Sequence, residues 1–425
     1  MSKTIRLDHI TKIEGHASLR VVVEDNKLKT VELGAFEGAR FFEGLIVGRK
    51  YYEVPIITSR ICGICSCIHV TASLQAIENA FGVKVSEQTR LLRELLCVGE
   101  RIRSHASHLY LFALPDYLGY ESALAMAPKH KEEVNKALEL IKLGNNIVTA
   151  IGGRDMHPIA GVVGGFTKIP DKEEFKELLN RLKKQKRDAI KTVELFAKLK
   201  YPKFERQTQY FALYDNGYST ISGDVRSSDK KIKPKSYKEH IKEVIKEYST
   251  AKFSTINGRS FMVGSLARVN NNHDTMSKDT KKLIKKLKLR FHIYNPFYNN
   301  LCQALELVNH FDRAIEMLED LELKEEEPVK VIVRQGRGVS CVEAPRGLLF
   351  HDYEFDESGK LVKANIITPT AQNLNNLEQD LWAYLPIILN KSDDKVKLEI
   401  EKLIRAYDPC FSCSAHFLEM DLERK

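Results

Sequence analysis

No stretch of this 425-residue chain approaches the roughly 18 consecutive apolar residues that a membrane helix needs. MSKTIRLDHI, at the N-terminus, has no apolar signal core either. A cytoplasmic protein with reduced thiols is the expectation. Gly-rich phosphate-binding turns are also missing, since GRGVSCVEAPRG and GVVGGF lack the spacing of a dinucleotide fingerprint. Cysteine is scarce, at eight residues, and with 43% hydrophobic content the chain can bury a core that needs neither disulfides nor a structural metal. The cysteines are therefore available for chemistry. The formal charge of +9 comes from runs such as LLNRLKKQKRDAIK and KDTKKLIKKLKLR, where lysines alternate with apolar residues at helical spacing. With no aromatic residues interleaved to stack on bases, these runs are solvated helix faces rather than a nucleic-acid surface.

HASLRVVVEDNKLKTVELGAF alternates apolar and polar residues around Glu24-Asp25-Asn26, the pattern of a β-hairpin. Helical periodicity is expected from Glu37 to Gly48 and from Val70 to Phe81, where Gly82 closes it. Longer helices are expected over Ser86 to Ala113, Lys131 to Gly152, Asp171 to Lys200 and Asn299 to Leu321, with further ones at Asn373 to Leu389 and Lys395 to Ala406. VKVIVRQGRGVSCVEAPRGLLFHDYEFDESGKLVKANIITP reads as a second β region turning at Glu357-Ser358-Gly359. Without internal repeats or low-complexity linkers, one domain over residues 1–425 is expected, with a partly β insertion over roughly 202–255. The fold class is α+β and predominantly helical, a large helical bundle with small peripheral β-sheets.

RICGIC places Cys62 and Cys65 three residues apart, and DPCFSCSAH repeats the spacing with Cys410 and Cys413 at the far end of the chain. Two such pairs supply four soft thiolates, which select zinc, nickel, copper(I) or iron–sulfur iron. A structural zinc site usually draws its pairs from closer in sequence. A thioredoxin-like motif would leave one pair idle, and no βαβ frame surrounds either. An iron–sulfur cubane stays open on spacing alone. The neighbouring motifs weigh toward catalysis: KIEGH carries Glu14, EAPRG carries Arg346, TPTAQN carries Thr370, and Asp408 opens the last motif. A structural staple has no use for an acid and an arginine beside its sulfurs.

KIEGH, RICGIC, SHASHLYLFALPDYLGY, GRSFMVGSLARVNNN, EAPRG, ITPTAQN and RAYDPCFSCSAH together resemble the large, catalytic subunits of nickel-iron hydrogenases along essentially the whole chain. SHASHLYLFALPDYLGY, NPFYNNLCQALELV and RAYDPCFSCSAH are most similar to the sulfhydrogenase and NADP-linked cytoplasmic branch. The resemblance implies the large-subunit fold and reversible heterolytic cleavage of dihydrogen. Cys62 and Cys410 would be terminal nickel ligands, and Cys65 and Cys413 would bridge nickel to an iron that carries CO and cyanide. Cys67, Cys97, Cys302 and Cys341 are left as small packing residues. The released proton is expected on the Cys410 thiolate rather than on Arg346, whose neutral form is scarcely present at neutral pH. Glu14 would pass the proton outward. Asp116 and Asp408 would hold Arg346, which with Pro345 would line the pocket of the diatomic ligands. Thr370 would donate to a cyanide and His69 to a bridging sulfur, whereas His9, His16, His105 and His108 are read as structural.

The resemblance also implies a separate magnesium or iron ion at Glu43, the Leu374 carbonyl and His416, with 417–425 a removable or retained C-terminal tail. Electrons need an exit, and Cys97, Cys302 and Cys341 are too isolated to hold a relay. The implied partners are a small subunit with iron–sulfur clusters and, beyond it, flavin- or nicotinamide-binding subunits that serve NADP, polysulfide or another carrier. Two alternatives share this fold: a dihydrogen sensor, and a non-catalytic scaffold like the quinone-side subunit of respiratory complex I. The latter has lost the cysteines that this chain keeps.

Overall fold

The computed structural model describes residues 2–25, 27–35 and 42–414. Ser2–Leu7, Ala17–Glu24 and Lys27–Ala35 form an antiparallel meander, with Leu19 opposite both Leu7 and Leu33. Ala17, Leu19, Val21 and Val23 point alternately into the core, as the period of two requires. The first strand was not foreseen. Beyond its third residue it offers only Ile5 and Leu7 to the interior, too little alternation to register as a pattern.

The helical body consists of Glu87–Ser107, Lys131–Gly152, Lys172–Ala197, Asn299–Asp320, Pro369–Ile388 and Asp393–Ala406. Their apolar faces and the N-terminal sheet share one core. Ser86 and Asp171 cap two of these helices by accepting backbone N–H bonds from Thr89 and from Glu173 and Glu174. The stretch expected as one helix to Ala113 changes pitch. It is α-helical to Ser107, a π-helix over His108–Ala113 and α-helical again over Leu114–Leu118, where Pro115 opens the last segment. Of the helix expected from Glu37, Phe42–Ile46 is helical, and residues 36–41 lie outside the described set.

A second core brings helix Ser66–Phe81 against the antiparallel sheet Gly336–Ala344, Gly347–Phe355 and Leu361–Ile367. The close approach needs Gly338, since a Cβ there would lie 1.9 Å from the Ala76 carbonyl oxygen. VKVIV, expected to be strand, takes part in no ladder among the described residues. Val331 and Val333 pack on this core while Ile332 is exposed. Between residues 202 and 262 short strands prevail. Ala212–Tyr214, Asp224–Arg226 and Lys231–Ile232 form one sheet, Ile241–Val244 pairs with Phe253–Ile256, and Gln209–Tyr210 runs parallel to Phe261–Met262. Their apolar residues share a third core with Val339, Cys341, Leu348 and Phe350. Among the described residues no helix is long and apolar enough to cross a membrane.

Candidate metal centre

Cys62 follows a single 3-10 turn, Ser59–Ile61, in extended backbone, and Cys65 stands at the N-cap of helix Ser66–Phe81. The second pair enters at the end of helix Asp393–Ala406. There Asp408 takes the left-handed conformation (φ 49°), which a short polar side chain tolerates, and the chain turns back. Glu14 then pairs with Cys410 in a parallel bridge, and the Phe411 N–H donates to the Glu14 carbonyl at 3.0 Å. Opposite ends of the sequence thus converge. The sulfurs of Cys62, Cys65, Cys410 and Cys413 lie within 4.8 Å of one another, all buried. Cys62 is 3.5 Å from Cys410, Cys65 is 3.1 Å from Cys413, and Cys410 is 2.9 Å from Cys413.

Hydrogen bonds from Cys410, Cys413 and Cys65 hold the Cys62 thiol well below its ordinary range, whereas burial pushes Cys410 and Cys413 well above theirs. Ionising the other sulfurs takes a thiophilic metal, whose binding expels their protons.

Arg346 closes one side. Its Nε donates to the Asp408 carbonyl (2.7 Å) and carboxylate (3.1 Å), and its Nη2 lies 3.0 Å from the same carboxylate oxygen. Burial works against the guanidinium charge, but Asp408, then Cys410, Cys62 and Cys65, more than offset it and keep the group protonated. Nη1 is buried without a partner among the described residues, an unmet donor beside four sulfurs. The loop carrying Arg346 is held by a residue that the sequence did not single out. Arg268 donates to the Ala344 and Pro345 carbonyls (3.0 and 2.8 Å), and its own charge is met by Glu306 and Glu343. Gly264, at φ 109°, lets that segment pass the Arg346 carbonyl, which a Cβ would approach to 3.0 Å. Gln303 steadies Asp408 from the far side at 2.9 Å and is itself bonded to His108 at 2.6 Å.

Glu14 Oε2 accepts from the Cys410 thiol at 3.0 Å and from the Ser412 N–H at 3.1 Å. Burial and the nearby Cys62 charge raise its pKa, opposed by those two bonds and by Arg346. Thr370 Oγ1 accepts from the Cys410 N–H at 2.8 Å, which leaves its own proton to donate.

Other expected residues fall elsewhere. Asp116 does not hold Arg346. Its oxygens are taken by Arg405, at 2.7 Å, and by Lys12, because the helical segment Leu114–Leu118 faces the end of helix Asp393–Ala406. His69 is buried, and its Nδ1 is bonded to His351 Nε2 at 3.1 Å; burial lowers its pKa to about 4 against the opposing pull of Cys62. Glu43 Oε1 accepts the Ile366 N–H at 2.7 Å, and Oε2 lies 3.6 Å from Lys252 Nζ. Leu374 is buried in helix Pro369–Ile388, and His416 and 417–425 lie outside the described residues. Cys67, Cys97, Cys302 and Cys341 are each buried apart from the four-sulfur cluster. Glu100, also missed, caps the helix that follows Cys65 by accepting the Cys67 N–H at 2.7 Å.

A family model described as nickel-dependent hydrogenase matches residues 40–142 and 207–416. The chain is 39% identical over 428 residues to the sulfhydrogenase 1 alpha subunit of Pyrococcus furiosus, covering 98% of each chain. It is 36% identical to the sulfhydrogenase 2 alpha subunit of that organism, covering 98% of this chain and 100% of the relative. The solved structure of an NAD+-reducing NiFe-hydrogenase in its hydrogen-reduced state shares the fold, with a TM-score of 0.89 at 24% identity over 97% of this chain and 99% of that one. With matches end to end and four converging cysteines, the chain belongs to the nickel-dependent hydrogenase family as a large, catalytic subunit.

Proposed function

We propose that Cys62, Cys65, Cys410 and Cys413 hold a nickel-iron centre at which dihydrogen is reversibly cleaved. Cys62 and Cys410 would hold the nickel alone, and Cys65 and Cys413 would hold both the nickel and an iron with CO and cyanide ligands. The observation carrying this reading is the buried four-sulfur cluster beside the unpartnered Arg346 Nη1. The donor set fits the pair of metals. Thiolate has the spare lone pair that bridging requires, and the orphaned guanidinium donor and the free Thr370 proton suit cyanide acceptors. When bound, the metals withdraw the bonding electrons of dihydrogen and make its heterolysis feasible at neutral pH.

The residues then manage the proton. Cys410 Sγ is the first acceptor, and Glu14 Oε2, 3.0 Å away, takes the proton from it. Arg346, fixed by Asp408, stays charged, steadies the anionic site and acts as a lid, and with Pro345 it would line the pocket of the diatomic ligands. Asp116 braces the helix that delivers Asp408 through Arg405. His69 donates toward a bridging sulfur. Glu43, the Leu374 carbonyl and His416 would hold a separate magnesium or iron ion. We read residues 1–425 as one domain whose stretch 202–255 is an insertion and whose residues 417–425 are a removable or retained tail. The setting is cytoplasmic. Electrons pass to an iron–sulfur small subunit and on, through flavin- or nicotinamide-binding subunits, to a soluble acceptor such as NADP or polysulfide.

Metal analysis and infrared spectroscopy of the anaerobically purified complex test this reading. Nickel and iron with CO and cyanide bands are expected, and zinc alone without those bands would refute it.

A further inference from the structure

Helix Ser66–Phe81 begins without the cap that its own first residue would ordinarily supply. Cys65 stands at the N-cap, where a serine, threonine, aspartate or asparagine accepts a free N–H group of the first turn, and its side chain makes no such bond. Its sulfur faces the cluster instead, 3.1 Å from that of Cys413. The two duties exclude each other, because a side chain turned back onto the first-turn N–H groups is turned away from a metal. The acceptor comes from another helix. Glu100, on Glu87–Ser107, takes the Cys67 N–H at 2.7 Å and lies 3.4 Å from the Ile68 nitrogen. A carboxylate in this place also meets the positive end of the helix dipole.

One turn further along Glu87–Ser107, Arg103 grips the other side of Cys65. Its Nη2 donates to the Ile64 carbonyl at 3.1 Å and lies 3.5 Å from Glu100 Oε2. Its Nη1 donates to the Asp155 carbonyl and, at 3.3 Å, to Asn145 Oδ1. Both side chains are buried. The platform beneath them is stiff. Helices Glu87–Ser107 and Lys131–Gly152 cross backbone to backbone at Gly99 and Gly144, since a Cβ on Gly144 would come within 2.6 Å of the Gly99 carbonyl oxygen.

We propose that Glu100 and Arg103 are positioning residues that clamp the backbone on both sides of Cys65 and so preset its sulfur for metal binding. The inference rests on the reading of Cys65 as a metal ligand. The peptide carbonyl before Cys65 and the N–H two residues after it are both fixed to one rigid helix, so the metal has only the cysteine side chain left to order. Outer partners of this kind are worth about 10- to 100-fold in metal affinity.

The test is a cobalt(II) titration of the metal-free full chain, read by the thiolate-to-cobalt absorption. Glu100→Leu and Arg103→Met are expected to bind cobalt about 10- to 100-fold more weakly than the wild type. Glu100→Gln, whose amide oxygen still accepts the Cys67 N–H, is expected to bind as the wild type does. The inference is overturned if either Glu100→Leu or Arg103→Met binds as the wild type does. It is equally overturned if Glu100→Gln loses as much affinity as Glu100→Leu, since the effect would then lie in the charge and not in the bond. If Glu100→Leu does not fold, hydrogen exchange in the wild-type chain decides: a slowly exchanging Cys67 amide supports the clamp, and a rapidly exchanging one overturns it. A wild-type chain that binds no cobalt would sink the metal-ligand reading and the clamp with it, whereas a binding wild type with equally binding variants would sink the clamp alone.

Discussion

Replacing Glu14 by glutamine removes one function and little else. The amide has the shape of the carboxyl group, and its oxygen can still accept the Ser412 N–H, now 3.1 Å from Oε2. It cannot take a proton from Cys410, whose sulfur is 3.0 Å from the same oxygen. A positioned proton acceptor contributes about 10²- to 10⁴-fold. At about 1.36 kcal/mol per decade, the barrier should rise by about 2.7–5.4 kcal/mol. The measurement is deuterium exchange, with the variant complex under D2 in ordinary water and release of HD followed by mass spectrometry. Exchange should fall by about two to four decades while nickel and iron content stays native, because no sulfur has moved. Glu14→Asp supplies a control. It keeps the carboxylate but withdraws it by about 1.5 Å, one carbon–carbon bond, which breaks the contact with Cys410 and should cost about 10²-fold. Native exchange in Glu14→Gln would refute the reasoning, because protons would then leave by a route that bypasses this carboxylate.

Cys413→Ser should abolish both nickel retention and dihydrogen oxidation, since a serine hydroxyl does not ionise where a thiol does; an active, nickel-replete variant would end the bridging assignment. Glu306→Leu should destabilise the protein by about 3–5 kcal/mol in denaturant unfolding, because it strips a buried partner from Arg268, which is bonded to it through Nε (2.5 Å) and Nη2 (2.7 Å). An unchanged midpoint would show that Glu343 alone satisfies Arg268. Hydrogen bonds from Lys186 and Lys282 hold Asp279 at a pKa of about 2, below the ordinary aspartate value. Its stabilising contribution is therefore complete above about pH 4 and lost as pH falls toward 2. Solvent screening keeps it under about 1 kcal/mol, and Asp279→Asn should flatten the acid limb of a melting-temperature profile by that amount. A variant with the native acid limb would refute the assignment.

What was legible in the sequence follows a physical division. Lys131–Gly152 and the hairpin Ala17–Ala35 were readable because their side chains face one core on one side, which imprints a period of 3.6 or 2. VKVIV carries the same alternation without a partner strand, so a period alone misled. The π-helix at His108–Ala113 left no mark, because a change of pitch costs one hydrogen bond and no residue type. At the site, the thiolates were recognisable because few residues can do their chemistry, and Asp408 because it is two residues from Cys410.

Pairing among ordinary charged residues is different. The resemblance pairs Asp116 with Arg346, whereas it is bonded to Arg405, and nothing in the sequence marks Arg268, Gln303, Glu306 or Glu100 for the roles they take. An arginine in GSLAR looks like any amphipathic-helix arginine. Its role is decided by burial among Glu306 and Glu343, 38 and 75 residues away, and burial is a property of the fold. That burial also explains why such groups must be paired so fully. Arg268 spends its donors on two carboxylates, Ser265 and the carbonyls of Ala344 and Pro345, so the loop bearing Arg346 cannot shift without uncovering a charge. The cost of that exposure, together with the bonds Arg346 makes to Asp408, keeps the guanidinium beside the four sulfurs.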